Sequence, residues 1–165
     1  SDTGSSKEAE ELYREALKIR RELAEKSPDA YLPDLAISCN NLAYLLSDTG
    51  SSKEAEELYR EALKIRRELA EKSPDAYLPN LAIGCNNLAN LLSDIGSFKE
   101  AEELYQEALK IRWNLAEENP KVYLPKLQLV CDNLTALLEK TGRREEADSL
   151  RREVAEFYQK QLAQQ

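Results

Sequence analysis

The chain repeats itself with a period of 46 residues, and this constrains its fold more than any other feature of the sequence. Residues 1–46 and 47–92 are identical at 43 of 46 positions, and residues 93–138 match the second block at 30 of 46. The tail 139–165 keeps only the opening of the block. Units of this length bury their apolar faces by stacking on their neighbours. We therefore expect one array over 1–165, made of these three units and a C-terminal capping helix in 139–165.

Apolar residues within each block recur at the spacing of two amphipathic helices. In the second block Leu81, Cys85 and Leu88 share one helix face. The Gly96 that follows this helix is a typical terminator. The sequence therefore predicts an all-α chain of about seven helices, over residues 5–27, 33–48, 51–73, 79–94, 97–119, 125–140 and 143–163.

Two prolines lie near the start of each first helix, and the second of them is the expected first helical residue. In the second block this residue is Pro79, because proline is favoured at the first helical position. The preceding residues 73–78 then form a linker. We expect Tyr77 and Leu78 of that linker to fill the gap between the long second helix and the next unit.

A string that spans both helices resembles the tetratricopeptide repeat. It reads Asn41-Leu42-Ala43-x-x-Leu46-x-x-x-Gly50-x-x-x-x-Ala55-x-x-x-Tyr59-x-x-Ala62, recurs from Asn87 to Ala108, and begins again at Asn133. The usual repeat has about 34 residues, and the longer period here is similar to that of kinesin-light-chain-type repeats. The resemblance implies a right-handed α-solenoid of antiparallel helix pairs, a superhelix that binds a peptide or protein segment without catalysis.

Composition disfavours several other classes of function. The formal net charge is −8, whereas binding to nucleic acids or anionic membranes requires basic surfaces. The chain contains no histidine, so it lacks the usual nucleophile–base pairs and most types of zinc site. We expect no enzymatic activity, no cofactor and no metal site. The chain shows neither a signal peptide nor an apolar span, which predicts a cytoplasmic location.

Three cysteines occupy one position of the repeat and do not form a disulfide framework. Cys39, Cys85 and Cys131 are each 46 residues apart and lie on an apolar helix face. A free cysteine in such a place acts as a small hydrophobic residue. We expect all three to be buried and inert.

Other residues near the apolar stripes are expected to have structural roles. Arg20, Arg66 and Arg112 recur beside the stripe, and we expect each guanidinium to bond to a loop carbonyl or a carboxylate. Trp113 and Phe98 replace polar residues of the second block. They either pack against the C-terminal unit or form an exposed patch, and the sequence leaves both alternatives open.

The resemblance implies that the first helices line a groove that holds the ligand. An asparagine recurs on the side opposite the packed face, at Asn41, Asn87 and Asn133, and an amide can pair with an extended peptide backbone. The alternatives are a solvated side chain or one that fixes the neighbouring helix. The candidate peptide-binding residues are Asp34, Ser38, Asn41, Tyr44, Asp48, Asn87, Asn90, Asp94, Lys126, Asn133 and Lys140.

Charge along these candidates changes sign. Asp34, Asp48 and Asp94 make the early part acidic, whereas Lys126 and Lys140 lie at the far end. Complementary charge mainly sets the rate and the register of binding. We therefore expect a ligand with basic side chains toward the N-terminal half.

The first helix of the chain is expected to leave its apolar stripe half uncovered. This stripe consists of Leu12, Tyr13, Ala16, Ile19 and Leu23. An exposed apolar patch favours association, so we predict end-to-end homo-association through this helix. The near-identity of the first two blocks also supports a second reading, in which the chain is an engineered or consensus-like scaffold with no evolved ligand.

Overall fold

The computed structural model describes residues 2–165, and within them it contains seven α-helices and no strand. This confirms the predicted all-α fold of helix pairs. The helices, in chain order, are α1 (Asp2–Lys26), α2 (Pro28–Asp48), α3 (Ser52–Lys72), α4 (Pro74–Asp94), α5 (Phe98–Glu118), α6 (Pro120–Lys140) and α7 (Arg144–Ala163).

The chain divides into two compact units, and the boundary falls within α4. The N-terminal unit is Ser1–Tyr77, in which α2 packs against both α1 and α3. The C-terminal unit is Leu78–Gln165, in which α6 packs against both α5 and α7. The first helix of each repeat (α2, α4 and α6) is here called a first-type helix, and the second helix (α1, α3, α5 and α7) a second-type helix. In each unit a first-type helix therefore lies between two second-type helices, as stacking of two-helix repeats requires.

The first-type helices begin five residues earlier than the sequence predicted. They start at Pro28, Pro74 and Pro120, and the second proline of each pair lies inside the helix. The break from the preceding helix is a single residue, for example Ser27 with φ −142° and ψ 77°. A residue before proline is pushed to this extended region, and proline suits the first helical position because its missing N–H has no partner there.

The predicted linker 73–78 is therefore wrong, and helix replaces most of it. The internal proline costs about 3 kcal/mol, because it removes one main-chain hydrogen bond and crowds the preceding turn. In α6 the added helical turns bury Leu124 to 2% exposure. Such burial stabilises by about 1.5–3 kcal/mol, which is enough to offset most of that cost.

Glycine ends each first-type helix, as predicted for Gly96. Gly50, Gly96 and Gly142 have φ of 92°, 89° and 80°, a left-handed conformation that residues with a Cβ rarely adopt. After each glycine a main-chain N–H bonds back across the turn, as in the 2.8 Å bond from Ser97 to the Leu92 carbonyl. This pattern is the Schellman motif, and it reverses the chain into the next helix.

The cysteines are buried and free, as predicted. The Cys39 thiol donates to Glu61 Oε2 over 3.4 Å, and the Cys85 thiol donates to Glu107 Oε2 over 3.3 Å. Burial raises the pKa of Cys39 to about 12 and that of Cys131 to about 11. These two groups stay protonated at neutral pH, so they pack as small hydrophobic residues.

Candidate peptide-binding surface

A cavity of about 450 Å³ opens between α4, α5 and α6 of the C-terminal unit. Four of the predicted site residues line it together, namely Asn90 and Asp94 from α4 and Asn133 and Lys140 from α6. They converge because each pair is one or two helical turns apart on the same face. The other lining residues are Ser93, Tyr105, Ala136 and Leu137.

Tyr105 fixes the orientation of Asn90. Its hydroxyl donates to Asn90 Oδ1 over 2.5 Å, and the tyrosine itself is 3% exposed. Burial, assisted by the nearby Asp94 carboxylate, raises the pKa of Tyr105 to about 12. The hydroxyl therefore remains a donor at neutral pH, and the Asn90 amide group keeps its N–H donors for another partner. The sequence did not identify Tyr105 as part of this site, because it reads as a core residue of the repeat.

Asn133 joins two first-type helices. Its Nδ2 donates to Asn86 Oδ1 on α4 over 3.1 Å, and Asn86 is 6% exposed. This corresponds to the alternative in which the asparagine fixes the neighbouring helix. Asn133 is only partly buried and still lines the cavity, so its Oδ1 can also accept a hydrogen bond from a ligand.

Two opposite charges flank the cavity. Asp94 and Lys140 are both exposed. The Lys140 ammonium lies 5.1 Å from the ring centre of Phe98, a cation–π contact. Phe98, whose place the sequence left open, thus lies against the end of α6. Lys126 and Asn87 lie outside the lining of this cavity, and Lys126 Nζ lies 5.4 Å from the Tyr123 ring centre.

The N-terminal unit carries the remaining candidates on α2. Tyr44 is 68% exposed, Asn41 and Asp48 are exposed, and Asp34 is half-buried. Ser38 departs from the expected exposed face. It is buried, and its hydroxyl accepts a 2.7 Å hydrogen bond from Arg20.

The expected anchoring of the repeated arginines is found twice. Arg20 donates to the Asp34 carbonyl over 3.2 Å, and Arg112 donates to the Lys126 carbonyl over 2.9 Å. Both acceptors lie within first-type helices and not in loops. Arg66 is buried as well, and its Nη1 has no hydrogen-bond partner within the described part of the chain. Burial lowers the pKa of Arg66 and of Arg112 from the ordinary arginine value.

The C-terminal helix α7 contacts α5 through an aromatic stack and α6 through an ion pair. Trp113 stacks on Phe157 with ring centres 4.4 Å apart, which settles the position of Trp113. Arg151 on α7 pairs with Glu139 on α6 at 2.7 Å. Trp113, which replaces the Arg67 of the second block, therefore contributes to the packing of α7.

Two classes of site have no support in the described residues. Between residues 2 and 165 no helix has the length and apolarity of a membrane span. Within the same residues no group of three or more histidine, cysteine or acidic side chains is placed to hold a metal ion.

Comparison with known proteins agrees with the repeat pattern. A family model described as "Tetratricopeptide repeat" matches residues 1–29, 35–75 and 82–113. The crystal structure of BtubC (BKLC) from P. vanneervenii, a kinesin light chain-like protein, matches with a TM-score of 0.68 and 27% identity. The match covers 94% of this chain and 57% of that one. No curated protein matches the sequence significantly.

Proposed function

Because the chain belongs to the tetratricopeptide repeat family, whose repeats generally mediate protein–protein interaction, we propose that it binds a peptide or protein segment on its first-type helices. The observation that supports this proposal is the cavity between α4, α5 and α6, which is lined by four of the residues predicted to bind a peptide. Its volume of about 450 Å³ is that of a small ligand pocket. It fits one or two side chains of an extended segment.

The amides of the cavity supply contacts for a peptide backbone. Asn90 offers N–H donors because Tyr105 occupies its oxygen, and Asn133 offers an oxygen acceptor while its nitrogen bonds to Asn86. A donor and an acceptor that line one cavity can pair with the alternating groups of an extended main chain. Such contacts provide affinity with little dependence on the ligand sequence.

The charges beside the amides favour one orientation of a bound peptide segment. Asp94 from α4 attracts a basic side chain, and Lys140 from α6 attracts an acidic side chain or a carboxylate. Exposed charges act mainly on the association rate and on the register of the ligand. The preferred segment therefore carries a basic and an acidic residue in a fixed order.

The α2 surface of the N-terminal unit suits a basic segment. Tyr44 offers an exposed ring, and Asp48 and Asp34 are acidic. Asp48 follows Tyr44 by one helical turn, and an exposed aromatic ring beside a carboxylate attracts lysine and arginine side chains through charge and cation–π contacts. This surface is proposed as a separate contact region for basic residues.

A peptide-array screen tests the proposal. The wild type is compared with Lys140→Glu, which reverses the charge at the cavity, and with Lys160→Glu, which makes the same change on an exposed residue of α7. We expect hits that carry an acidic residue, that weaken in Lys140→Glu and that persist in Lys160→Glu. Hits that respond equally to both variants would place binding elsewhere. A lack of hits would favour the scaffold without an evolved ligand.

A further inference from the structure

The turn between α4 and α5 carries two apolar residues, Ile95 and Phe98, and residues 95–98 are here called the apolar turn. Ile95 is 44% exposed, and Phe98 is half-buried at the start of α5. The left-handed conformation of Gly96 and the bond from the Ser97 N–H to the Leu92 carbonyl fix the path of the chain between them. The turn therefore presents an ordered apolar surface to solvent.

The two equivalent turns of the chain have threonine in place of Ile95. The Thr49 hydroxyl donates to the Leu45 carbonyl over 3.1 Å, and the Thr141 hydroxyl donates to the Leu137 carbonyl over 3.0 Å. An isoleucine side chain has no donor, so the apolar turn lacks this bond, and Ile95 does not gain burial in return. Neither hydrogen bonding nor packing within the turn accounts for the isoleucine.

Phe98 also replaces polar residues, since Ser52 and Arg144 stand at its position in the other two turns. Its ring centre lies 5.1 Å from Lys140 Nζ. The ring also lines an open cavity of about 730 Å³ at the start of α5, together with polar residues that include Lys99. Phe98 supplies this cavity with an apolar wall.

The apolar turn borders the proposed peptide-binding cavity. Asp94, which lines that cavity, directly precedes Ile95, and Lys140, which also lines it, contacts Phe98. The Lys140 ammonium forms no ion pair among the described residues, so it can attract an acidic group of a ligand. A segment that leaves the cavity past Lys140 therefore meets the apolar turn.

Stacking of repeats does not cover a turn of this kind. Residues 49–51 and 141–142 of the equivalent turns are exposed, and so are residues 95–97. The apolar turn lies between these two turns in the sequence and has a helix pair on either side. Because repeats pack on each other through their helices, its surface stays available to a ligand.

We infer that the apolar turn binds a large aliphatic or aromatic side chain of the segment that occupies the cavity. This inference rests on the proposed function, because Lys140 joins the two places by contacting Phe98 and lining the cavity. An extended chain advances about 3.3 Å per residue, and 5.1 Å separates the ammonium from the ring centre. The apolar residue of the ligand therefore lies one or two positions from the acidic residue that Lys140 attracts.

A scan of fluorescent nine-residue peptides tests this spacing. Each peptide has a central glutamate, a lysine at both ends and serine elsewhere, and one leucine replaces each serine in turn. Affinities are measured by fluorescence anisotropy with the full chain. Because each leucine peptide is compared with the peptide that has no leucine on the same protein, changes at the glutamate cancel.

The variants return the apolar turn to the residues of the first block. Ile95→Thr leaves the contact between Phe98 and Lys140 in place, and the double variant Ile95→Thr, Phe98→Ser removes both apolar side chains. The matched control is Val122→Thr, Leu162→Ser, which changes residues exposed by 44% and 48% near the start of α6 and the end of α7. Circular dichroism checks the fold of each variant.

We expect leucine within two positions of the glutamate to raise the affinity of the wild type and of the control by about fivefold. The gain should shrink in Ile95→Thr and fall below about twofold in the double variant. An equal gain in the double variant, or a gain that does not depend on the position of leucine, would overturn the inference.

The scan also separates the failure of this inference from the failure of the proposed function. Peptide binding that weakens in Lys140→Glu but gains nothing from leucine would refute the inference and leave the proposed function standing. An absence of binding by every peptide would count against both. A concentration-dependent dimer, seen by sedimentation, that disappears in the double variant would overturn the inference, because a second copy would then occupy the apolar turn.

Discussion

Leu58 and Leu12 provide a matched test of how the repeats are stabilised. They occupy the same position of identical helical sequences, yet Leu58 is 6% exposed and Leu12 is 64% exposed. Leu→Ala removes three carbon groups, which is worth about 2–2.5 kcal/mol when the side chain is fully buried. At Leu58 the remaining cavity raises the loss to about 3–4 kcal/mol. At Leu12 only about a third of the transfer term applies, so the loss is about 0.8 kcal/mol.

The two variants are compared by urea unfolding at equal protein concentration. Helix propensity cancels, because the substitution and its neighbours are the same in both helices. We expect Leu58→Ala to lower the free energy of unfolding by about 2–3 kcal/mol more than Leu12→Ala. Equal losses at the two positions would refute the argument, since burial between stacked helices would then not distinguish them.

Three further predictions concern other parts of the chain. Gly50→Ala should lower the melting temperature, because Gly50 has φ of 92° and a Cβ there costs about 1–2 kcal/mol; Gly4→Ala, in the same local sequence but within α1, should not lower it. Phe157→Leu should lower the free energy of unfolding by about 1 kcal/mol through loss of the stack on Trp113, with a shift of tryptophan emission; an unchanged emission would contradict the stack. The free energy of unfolding should fall as the pH rises from 9.0 toward 12. Burial raises the pKa of Cys39 from 9.0 to about 12, so the thiol loses its proton at lower pH in the unfolded chain than in the folded one. In a urea-unfolding series at increasing pH, Cys39→Ala should show a smaller fall than the wild type.

Much of the fold could be predicted from the sequence because the same spacing of apolar residues recurs in each block. The apolar spacing predicted seven helices, and Gly96 predicted where α4 ends. The predicted starts of α2, α4 and α6 were wrong because each of these helices has two prolines near its start, and either proline suits the first helical position. Tertiary burial, as of Leu124, decides between them. Context also decides the conformation of identical sequences, since Gly4 is helical whereas Gly50 is left-handed.

The candidate surface was only partly predictable for a related reason. A helical wheel places Asn90, Asp94, Asn133 and Lys140 on one side, and these residues do line one cavity. It does not reveal which polar groups the neighbouring helices already use. Ser38 is engaged by Arg20, and Asn133 by Asn86. Such contacts depend on the rotation and spacing of packed helices, which the sequence of one helix does not contain.

The measurement that tests the central proposal most directly exchanges one residue between the two units. Asn90 of the cavity corresponds to Tyr44 in the first block, and this is one of three differences between these blocks. Asn90→Tyr should fill the cavity and remove the amide donors, whereas Tyr44→Asn makes the reverse change on α2. The strongest peptide from the screen is titrated calorimetrically into the wild type and both variants, with the fold checked by circular dichroism. We predict that Asn90→Tyr loses binding by about tenfold or more and that Tyr44→Asn retains it at the cavity. Binding that survives Asn90→Tyr unchanged would contradict a peptide site between α4, α5 and α6.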